Sequence, residues 1–385
     1  MELPRWCVAP VVAALALAVQ PAPAPPPPAP YFPPPGDAWE RRAAAAVGMD
    51  SAALAGAVAF AIAQESRAPR ELERMLAERF RGPWDSIIGP VKPRGDPNGL
   101  VLRHGYIVAE WGDTKRVDMT FSVTKSFVAT TAGLAFDRGR IRDFQHRAAD
   151  YVKDGGFDSP HNAPITWHHL LQQTSEWEGT LFGKPDSADR RRGVDRTLQP
   201  PGTFWEYNDV RVNRASLAVL RVWGEALPVV LKREIMDPIG ASDTWEWHGY
   251  RNSDVDVSGR RVQSVSGGGH WGGGLWISAR DLARFGYLHL RRGRWKDRQL
   301  LSERWLEQAL APGDQNPSYG YMWWLNTGRR QWPSVSERSF AALGAGSNVV
   351  WVEPEHDLVV VLRWIEGAAV DSVLRRVVGA VRPVR

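Results

Sequence analysis

Two β-rich hairpin signatures near opposite ends of the chain limit the fold more than anything else in the sequence. "NGLVLRHGYIVAEWGD" (residues 98–113) carries apolar residues from Leu100 to Leu102 and from Tyr106 to Ala109, around a turn at His104-Gly105. "NVVWVEPEHDLVVVLRW" (residues 348–364) places two β-branched runs around residues 354–357. A lone hairpin is marginal in water, so each must join a larger sheet. The roughly 240 residues between them read mostly as helix broken by Gly-, Pro- and Trp-rich loops. This pattern predicts an α/β (α+β) fold: an antiparallel sheet built from both chain ends and flanked by helices, with an inserted, mostly helical subdomain at about 130–310.

Helix signals punctuate the rest. "AAVGMDSAALAGAVAFAIAQES" can be capped by Asp50 or Ser51, "RELERMLAERF" reads as a second helix, and "FVATTAGLAFDRGRI" follows Ser122 and stops at Gly139. "TWHHLLQQTS", "VRVNRASLAVLRVW" and "SARDLARFGYLHLRRG", the last with Ser278 as its N-cap, are expected helices of the middle region. "GAAVDSVLRRVVGAV" closes the chain with an apolar stripe at Val370, Val373, Leu374 and Val377. There is no internal repeat.

The N-terminus is of another kind. Arg5 precedes an apolar run from Val8 to Val19, too short for a comfortable membrane span. Residues 1–24 read as a secretory signal, with a retained N-terminal anchor, and so a membrane tether, as the rival. "PAPAPPPPAPYFPPP" opens a Pro-rich linker assigned to residues 25–45. The expected location is secreted, periplasmic or otherwise in the cell envelope. Cys7, the only cysteine, stands before the apolar run, badly placed for lipid attachment; a lone cysteine also excludes structural disulfides and cysteine zinc sites.

Several function classes drop out. The net charge of +5 is small for 385 residues, and "DRRRGVDR" (residues 189–196) and "RRGRWKDR" (residues 291–298) are interrupted by Asp and Gly. They read as solvated loops, not as a nucleic-acid footprint, so no nucleic-acid partner is expected. His168 and His169 lie on an apolar helix with no carboxylate at metal-ligand spacing and read as buried polar contacts. No His-Glu-x-x-His, Gly-x-Ser-x-Gly or Gly-x-x-x-x-Gly-Lys motif is present, and no metal or organic cofactor is expected.

What remains is "FSVTKSF". In a chain with seven lysines against 41 arginines, Lys125 stands three residues after Ser122 at the start of a helix. Residues three apart share a helix face, so the amine can reach the hydroxyl. A helix N-terminus adds partial positive charge and unpaired N–H groups that favour developing negative charge. Serine needs a base to become a nucleophile, and lysine serves as one only if burial or neighbouring positive charge lowers its pKa.

Downstream come "PPGTFWEYNDVRVN", with Tyr207 in a loop entering a helix, and "FAALGAGSNVVWV", small residues abutting the second hairpin. Ser122-Val123-Thr124-Lys125, then "PGTFWEYND", then a glycine-containing strand and the "VEPEHDLVVV" hairpin, resemble in order the serine β-lactamase and penicillin-binding-protein superfamily. The resemblance is nearest to class C β-lactamases and their esterase and nylon-oligomer-hydrolase relatives. It extends to "ITWHHLLQQTS" and "HWGGGLWISARDLARF", spans residues 45–380, and implies a serine-hydrolase domain over 46–385. It implies Ser122 as the acylated nucleophile, Lys125 as its proton acceptor and Tyr207 as a proton shuttle. The N–H groups of Ser122 and Ala345, beside Gly344, would form the oxyanion hole.

Two departures from the family pattern stand out. Asp209 occupies the place of the Asn in Tyr-x-Asn, where a carboxylate would hold Lys125 charged; Asn208 is one residue too early to substitute. The third motif reads Ala342-Leu343-Gly344, without the cation and hydroxyl that meet a β-lactam carboxylate; Arg329, Arg330 or Arg338 are candidates to replace them. The expectation is therefore a serine hydrolase acting on a small ester, amide or peptide-like substrate, and an esterase or amidase before an efficient β-lactamase. The alternatives are a non-catalytic cell-wall or ligand-binding protein of the same fold, or an acyltransferase. Of the 19 tryptophans, mostly packing residues, Trp271 between glycines is the candidate for a pocket wall.

Overall fold

The computed structural model describes residues 30–79 and 82–382. Its main sheet uses both chain ends, as the two hairpins require. Strands β1 (Asn98–Arg103) and β2 (Tyr106–Trp111) form the first hairpin. The second is β9 (Asn348–Glu353) with β10 (Leu358–Arg363). With β7 (Trp324–Leu325) and β8 (Phe340–Gly344) they build a six-stranded antiparallel sheet in the order β7-β8-β9-β10-β1-β2. Alternation along the strands divides the core. Leu100, Leu102, Val350, Val352, Val359 and Val361 join one hydrophobic cluster, whereas Val101, Val349, Trp351, Val360 and Leu362 join another.

Helices cover both faces, which explains why β9 and β10 are apolar almost without interruption. Helix α1 (Ser51–Ile62), capped by the Asp50 carboxylate accepting from the Ala53 N–H, and the C-terminal helix α9 (Val370–Gly379) pack in the second cluster. Val370, Val373, Leu374 and Val377 of α9 are all buried there, the stripe expected from sequence. The opposite face receives α3 (Val123–Asp137) and α7 (Ala279–Leu290). Gly286 lets α7 come close: a Cβ there would lie 2.8 Å from Val350 and 2.9 Å from Val359 side-chain carbons.

The middle of the chain differs from expectation. It holds α4 (Trp167–Leu171), only five residues long, α5 (Asp209–Trp223), α6 (Leu227–Leu231) and α8 (Glu303–Ala309), with α2 (Leu72–Arg79) lying before β1 in the chain, but it also holds a second antiparallel sheet. This sheet runs β3-β6-β4-β5, from β3 (Asp118–Met119), β4 (Glu246–Val257), β5 (Arg260–Val265) and β6 (Gly274–Ile277). Strand β4, "EWHGYRNSDVDV", is polar and carries a register irregularity between Gly249 and Asp254, so no clean two-residue alternation announces it. Its conformation comes from backbone pairing to β5 and β6, not from intrinsic preference.

The stretch from Tyr31 onward, assigned from sequence to the linker, instead packs on the folded body. Tyr31 stacks on Tyr106 with ring centroids 4.2 Å apart, and Phe32 lies against Tyr287 and Trp295. Buried Trp39 donates its indole N–H to the Gly105 carbonyl at 2.8 Å. These aromatics give the segment enough apolar area to dock despite its prolines. The leader, Cys7 and the start of the proline tract lie outside the described residues. Among the described residues, no helix is long and apolar enough to cross a membrane.

Candidate active site

Ser122 sits where β3 turns into α3. Phe121 adopts a left-handed backbone conformation, φ 50°, which a bulky residue rarely takes unless its surroundings hold it. Here they do: the Phe121 ring is buried with its edge toward Trp364, and the Phe121 carbonyl accepts from the Thr124 hydroxyl at 2.6 Å. The Thr124 hydroxyl in turn accepts the Leu275 N–H at 3.0 Å, tying the turn to β6. Ser122 is half-buried, and α3 is buried from Val123 through Ala135.

Lys125 does reach the hydroxyl. Its Nζ donates to Ser122 Oγ at 2.9 Å and to Asp209 Oδ1 at 2.6 Å, with both charged side chains buried. Burial by itself pulls the ammonium pKa down, but the Asp209 carboxylate, reinforced by Tyr207, outweighs it and the net direction is up. Burial likewise pushes Asp209 up, and Lys125, then His270 and Arg191, override it and hold this carboxyl below the usual range. Lys125 as the resting proton acceptor, implied by the resemblance, is therefore not what this geometry supplies: the amine is charged and already donating. Gly268 closes the pair from the other side, since a Cβ there would fall 2.2 Å from Asp209 Oδ2 and 2.4 Å from Lys125 Nζ. Asn208 does not stand in for Asp209; its side chain caps α5 by accepting the Arg211 N–H and donates to the Asp186 carbonyl.

Tyr207 stands in the same cavity, its ring 4.6 Å from Lys125 Nζ and 4.8 Å from the Arg191 guanidinium carbon. Trp205, Tyr319 and Trp324 pack around it. The cavity measures about 370 Å³ and is lined by Ser122, Tyr207, Asp209, Gly344 and Ala345 among others. Gly344, at the end of β8, is pressed against the turn before α3: a Cβ there would lie 1.9 Å from the Thr120 carbonyl oxygen and 3.1 Å from the Ser122 nitrogen. Only glycine allows that approach. Ala345 is anchored through its carbonyl, which accepts from Asn348 Nδ2 at 2.7 Å.

Four further residues belong to the site and escaped the sequence reading. Arg191 lies in the arginine-dense loop whose composition suggests a solvated segment; instead its side chain lines the Ser122 cavity and is bonded by Nε and Nη2 to Asp189 at 3.1 and 3.2 Å. The same loop is tied down by Arg196, which pairs with buried Glu176 and Glu206, both of which also meet buried Arg211. Asp189 accepts the Asp209 N–H at 2.7 Å and stands 3.4 Å from His270 Nδ1. Burial lowers the His270 pKa in spite of Asp189 and Asp209, which keeps the ring neutral at neutral pH. Arg363 is the fourth: wholly buried, it donates to the carbonyls of Ile277 and Met119 and to Asn348 Oδ1, linking β6, β3 and β9 behind the turn that presents Ala345. Its one sequence signal was a charge at the end of an otherwise apolar central strand.

The remaining candidates fall elsewhere. Arg329, Arg330 and Arg338 are exposed, and none lines the Ser122 cavity. Trp271 is buried, donates to the Trp84 carbonyl at 2.8 Å, and lines an adjoining cavity of about 460 Å³ that shares Arg191 and His270 with the first. His168 contacts the Tyr321 hydroxyl at 2.7 Å, and His169 completes the cap of α4. Asp189, Asp209 and His270 bring potential metal-ligand atoms within 4.8 Å of one another. Both carboxylates are already paired, to Arg191 and Lys125, so a divalent cation would have to displace two ion pairs to bind there.

A serine and a lysine on one helix turn, a tyrosine from the inserted region and a glycine-bearing strand of the main sheet are the arrangement of the serine β-lactamase and penicillin-binding-protein superfamily. The Beta-lactamase family pattern matches residues 96–364, and the chain belongs to that family. A 6-aminohexanoate-dimer hydrolase of Paenarthrobacter ureafaciens is 24% identical over 302 residues, 68% of this chain and 70% of that protein. Among solved structures, a penicillin-binding-protein homolog from Caulobacter crescentus superposes with a TM-score of 0.55 at 16% identity, covering 80% of this chain and 96% of its own. EstCE1, a hydrolase with promiscuous acyltransferase activity, gives 0.55 at 14% identity over 86% and 99% of the two chains. At these identities the structural likeness concerns the fold.

Proposed function

We propose that the protein is a serine hydrolase that cleaves esters or amides through an acyl-enzyme on Ser122. The observation that carries this reading is the convergence of Lys125 Nζ on Ser122 Oγ at 2.9 Å in a cavity also lined by Tyr207. In acylation Oγ bonds to the substrate carbonyl carbon while Tyr207 relays the proton, accepting it from Ser122 as it passes its own hydroxyl proton to the leaving-group atom. The Lys125 ammonium stays charged and stabilises the developing charge on Oγ. The bond from the carbonyl carbon to the alcohol or amine breaks as that group is protonated, and water releases the acyl group by the same relay in reverse. The N–H groups of Ser122 and Ala345 are the oxyanion donors in this scheme.

The third motif, Ala342-Leu343-Gly344, offers no side-chain cation, which favours ester and amide substrates over β-lactams. The 6-aminohexanoate-dimer hydrolase among its relatives supports that preference. A fluorophosphonate should add its mass to Ser122, and Ser122→Ala should lose both labelling and turnover of p-nitrophenyl esters, by about a thousandfold or more. A folded protein that neither labels nor turns over any ester contradicts the proposal, and nitrocefin turnover matching that of the esters overturns the substrate preference.

The buried Lys125–Asp209 pair favours one competing reading, a ligand-binding protein that keeps the fold without the chemistry. Ligand binding unchanged in Ser122→Ala, with no turnover in the parent, would establish it. Acyl transfer uses the same residues and is separated from hydrolysis by product analysis with added amines.

A further inference from the structure

We infer that Arg191 is a carboxylate-recognition residue, so that the preferred substrates are esters or amides bearing a carboxylate on an otherwise apolar acyl or leaving group. This rests on the serine-hydrolase reading and names the substrate class for the same site.

The guanidinium is placed for recognition. It borders both cavities, so any substrate extending from Ser122 into the adjoining space passes it. Asp189 takes one Nε and one Nη2 hydrogen, and no other side-chain acceptor is bonded to the group among the described residues. Three N–H bonds are thus left over, and 45% of the side chain is exposed. One face lies over the Tyr207 ring. Held by a fork to a carboxylate and by stacking on an aromatic, the group loses little rotamer freedom on binding.

The surroundings select the ligand. Two cations, Lys125 and Arg191, face two carboxylates, Asp209 and Asp189, so the cluster is balanced before substrate arrives. Lys125 is buried and spends two of its three donors on Asp209 and Ser122, which leaves Arg191 as the accessible cation with several donors to spare. The walls beyond it are apolar: Met75, Leu76, Phe121, Trp205, Trp324 and Leu343. A carboxylate in such a cavity gains charge-assisted hydrogen bonds at one place only, and a chain lacking it leaves those donors unmatched. The cation therefore comes from the loop on the Tyr207 side, whereas β8, the strand of the third motif, contributes none.

The test uses matched ester pairs on the full chain. Mono-p-nitrophenyl glutarate against p-nitrophenyl pentanoate puts the charge in the acyl group; 4-acetoxybenzoate against phenyl acetate puts it in the leaving group. In the parent protein kcat/KM should favour the anionic member of at least one pair by about tenfold or more. That ratio should collapse toward one in Arg191→Gln and in Asp189→Asn/Arg191→Gln, which leaves no orphaned carboxylate, and survive in part in Arg191→Lys. Fluorophosphonate labelling confirms that each variant is folded. No anionic preference in the parent, or a preference that survives Arg191→Gln, overturns the inference. If the parent turns over no ester and Ser122 does not label, the hydrolase reading fails separately. Calorimetry with glutarate then decides the anion site: binding lost in Arg191→Gln supports it, and absent or unchanged binding refutes it.

Discussion

Lys125 and Asp209 form a buried ion pair at 2.6 Å, and the same ammonium donates to the Ser122 hydroxyl. The carboxylate thus sets the protonation of the group nearest the nucleophile. In Asp209→Asn the main charge that holds Lys125 protonated is gone, and burial, aided by Arg191, lowers its pKa against Tyr207 alone, making the amine a second proton acceptor. We expect kcat/KM for an activated ester at neutral pH to rise about tenfold, with the acid limb of its pH profile moved down. A folded variant with an unchanged or lower rate would show that Asp209 itself takes part in proton transfer.

Gly344→Ala tests the oxyanion arrangement. Its Cβ would meet the Thr120 carbonyl oxygen at 1.9 Å, and both partners are backbone, so the strand end or the turn before α3 must move. Loss of one aligned oxyanion donor costs roughly 10²–10³ in kcat. Steady-state kinetics should show that loss mainly in kcat; retention of more than half the parent activity would place the donors elsewhere.

Arg363 ties three strands together, and burial pulls its pKa down to about 10. Arg363→Met strands two carbonyls and the Asn348 amide oxygen without donors, at a cost of about 3–5 kcal/mol read from the urea midpoint. Because Asn348 also holds the Ala345 carbonyl, Ser122 labelling should slow as well. A destabilised variant that labels at the parent rate would separate this scaffold from the site.

Acid sensitivity should be visible in His289. The ring is buried among Phe285 and Trp323, and burial lowers its pKa from 6.5 to about 4. The folded state favours the neutral ring, so below the unfolded pKa the unfolded chain binds a proton that the folded chain does not. Stability from this group is therefore present above about pH 6.5, falls as pH drops toward 4 and levels off below it, by about 3 kcal/mol in all. His169, also lowered to about 4 by burial and by His168, acts in the same direction. Thermal midpoints measured across this range should fall, and His289→Gln should flatten roughly half of the slope; an unaltered slope would assign the sensitivity elsewhere.

Legibility from sequence followed the range of the interactions involved. Hairpin turns, the Ser278 cap and the α9 stripe depend on residues a few positions apart and are legible in the sequence, as is the α1 cap up to the choice between Asp50 and Ser51. Strand β4 was missed because its partners, not its own polar residues, make it a strand. Asp209 is legible as a departure because it lies in a motif, whereas whether its carboxylate reaches Lys125 is fixed only by the fold. Arg191 was misread because an Arg-, Asp- and Gly-rich loop looks solvated until Glu176, Glu206 and Arg211 are brought against it.

By itself the sequence determined that the ends of this chain share a sheet and that a serine and a lysine share the first turn of a helix, since strand alternation and helical spacing are properties of neighbouring residues. Only the tertiary structure decided the charge state of that lysine and which arginine borders the nucleophile. Those outcomes depend on burial and on the distance between groups up to 84 positions apart. Electrostatic energy in a low-dielectric interior varies with separation in space, which spacing along the chain does not encode.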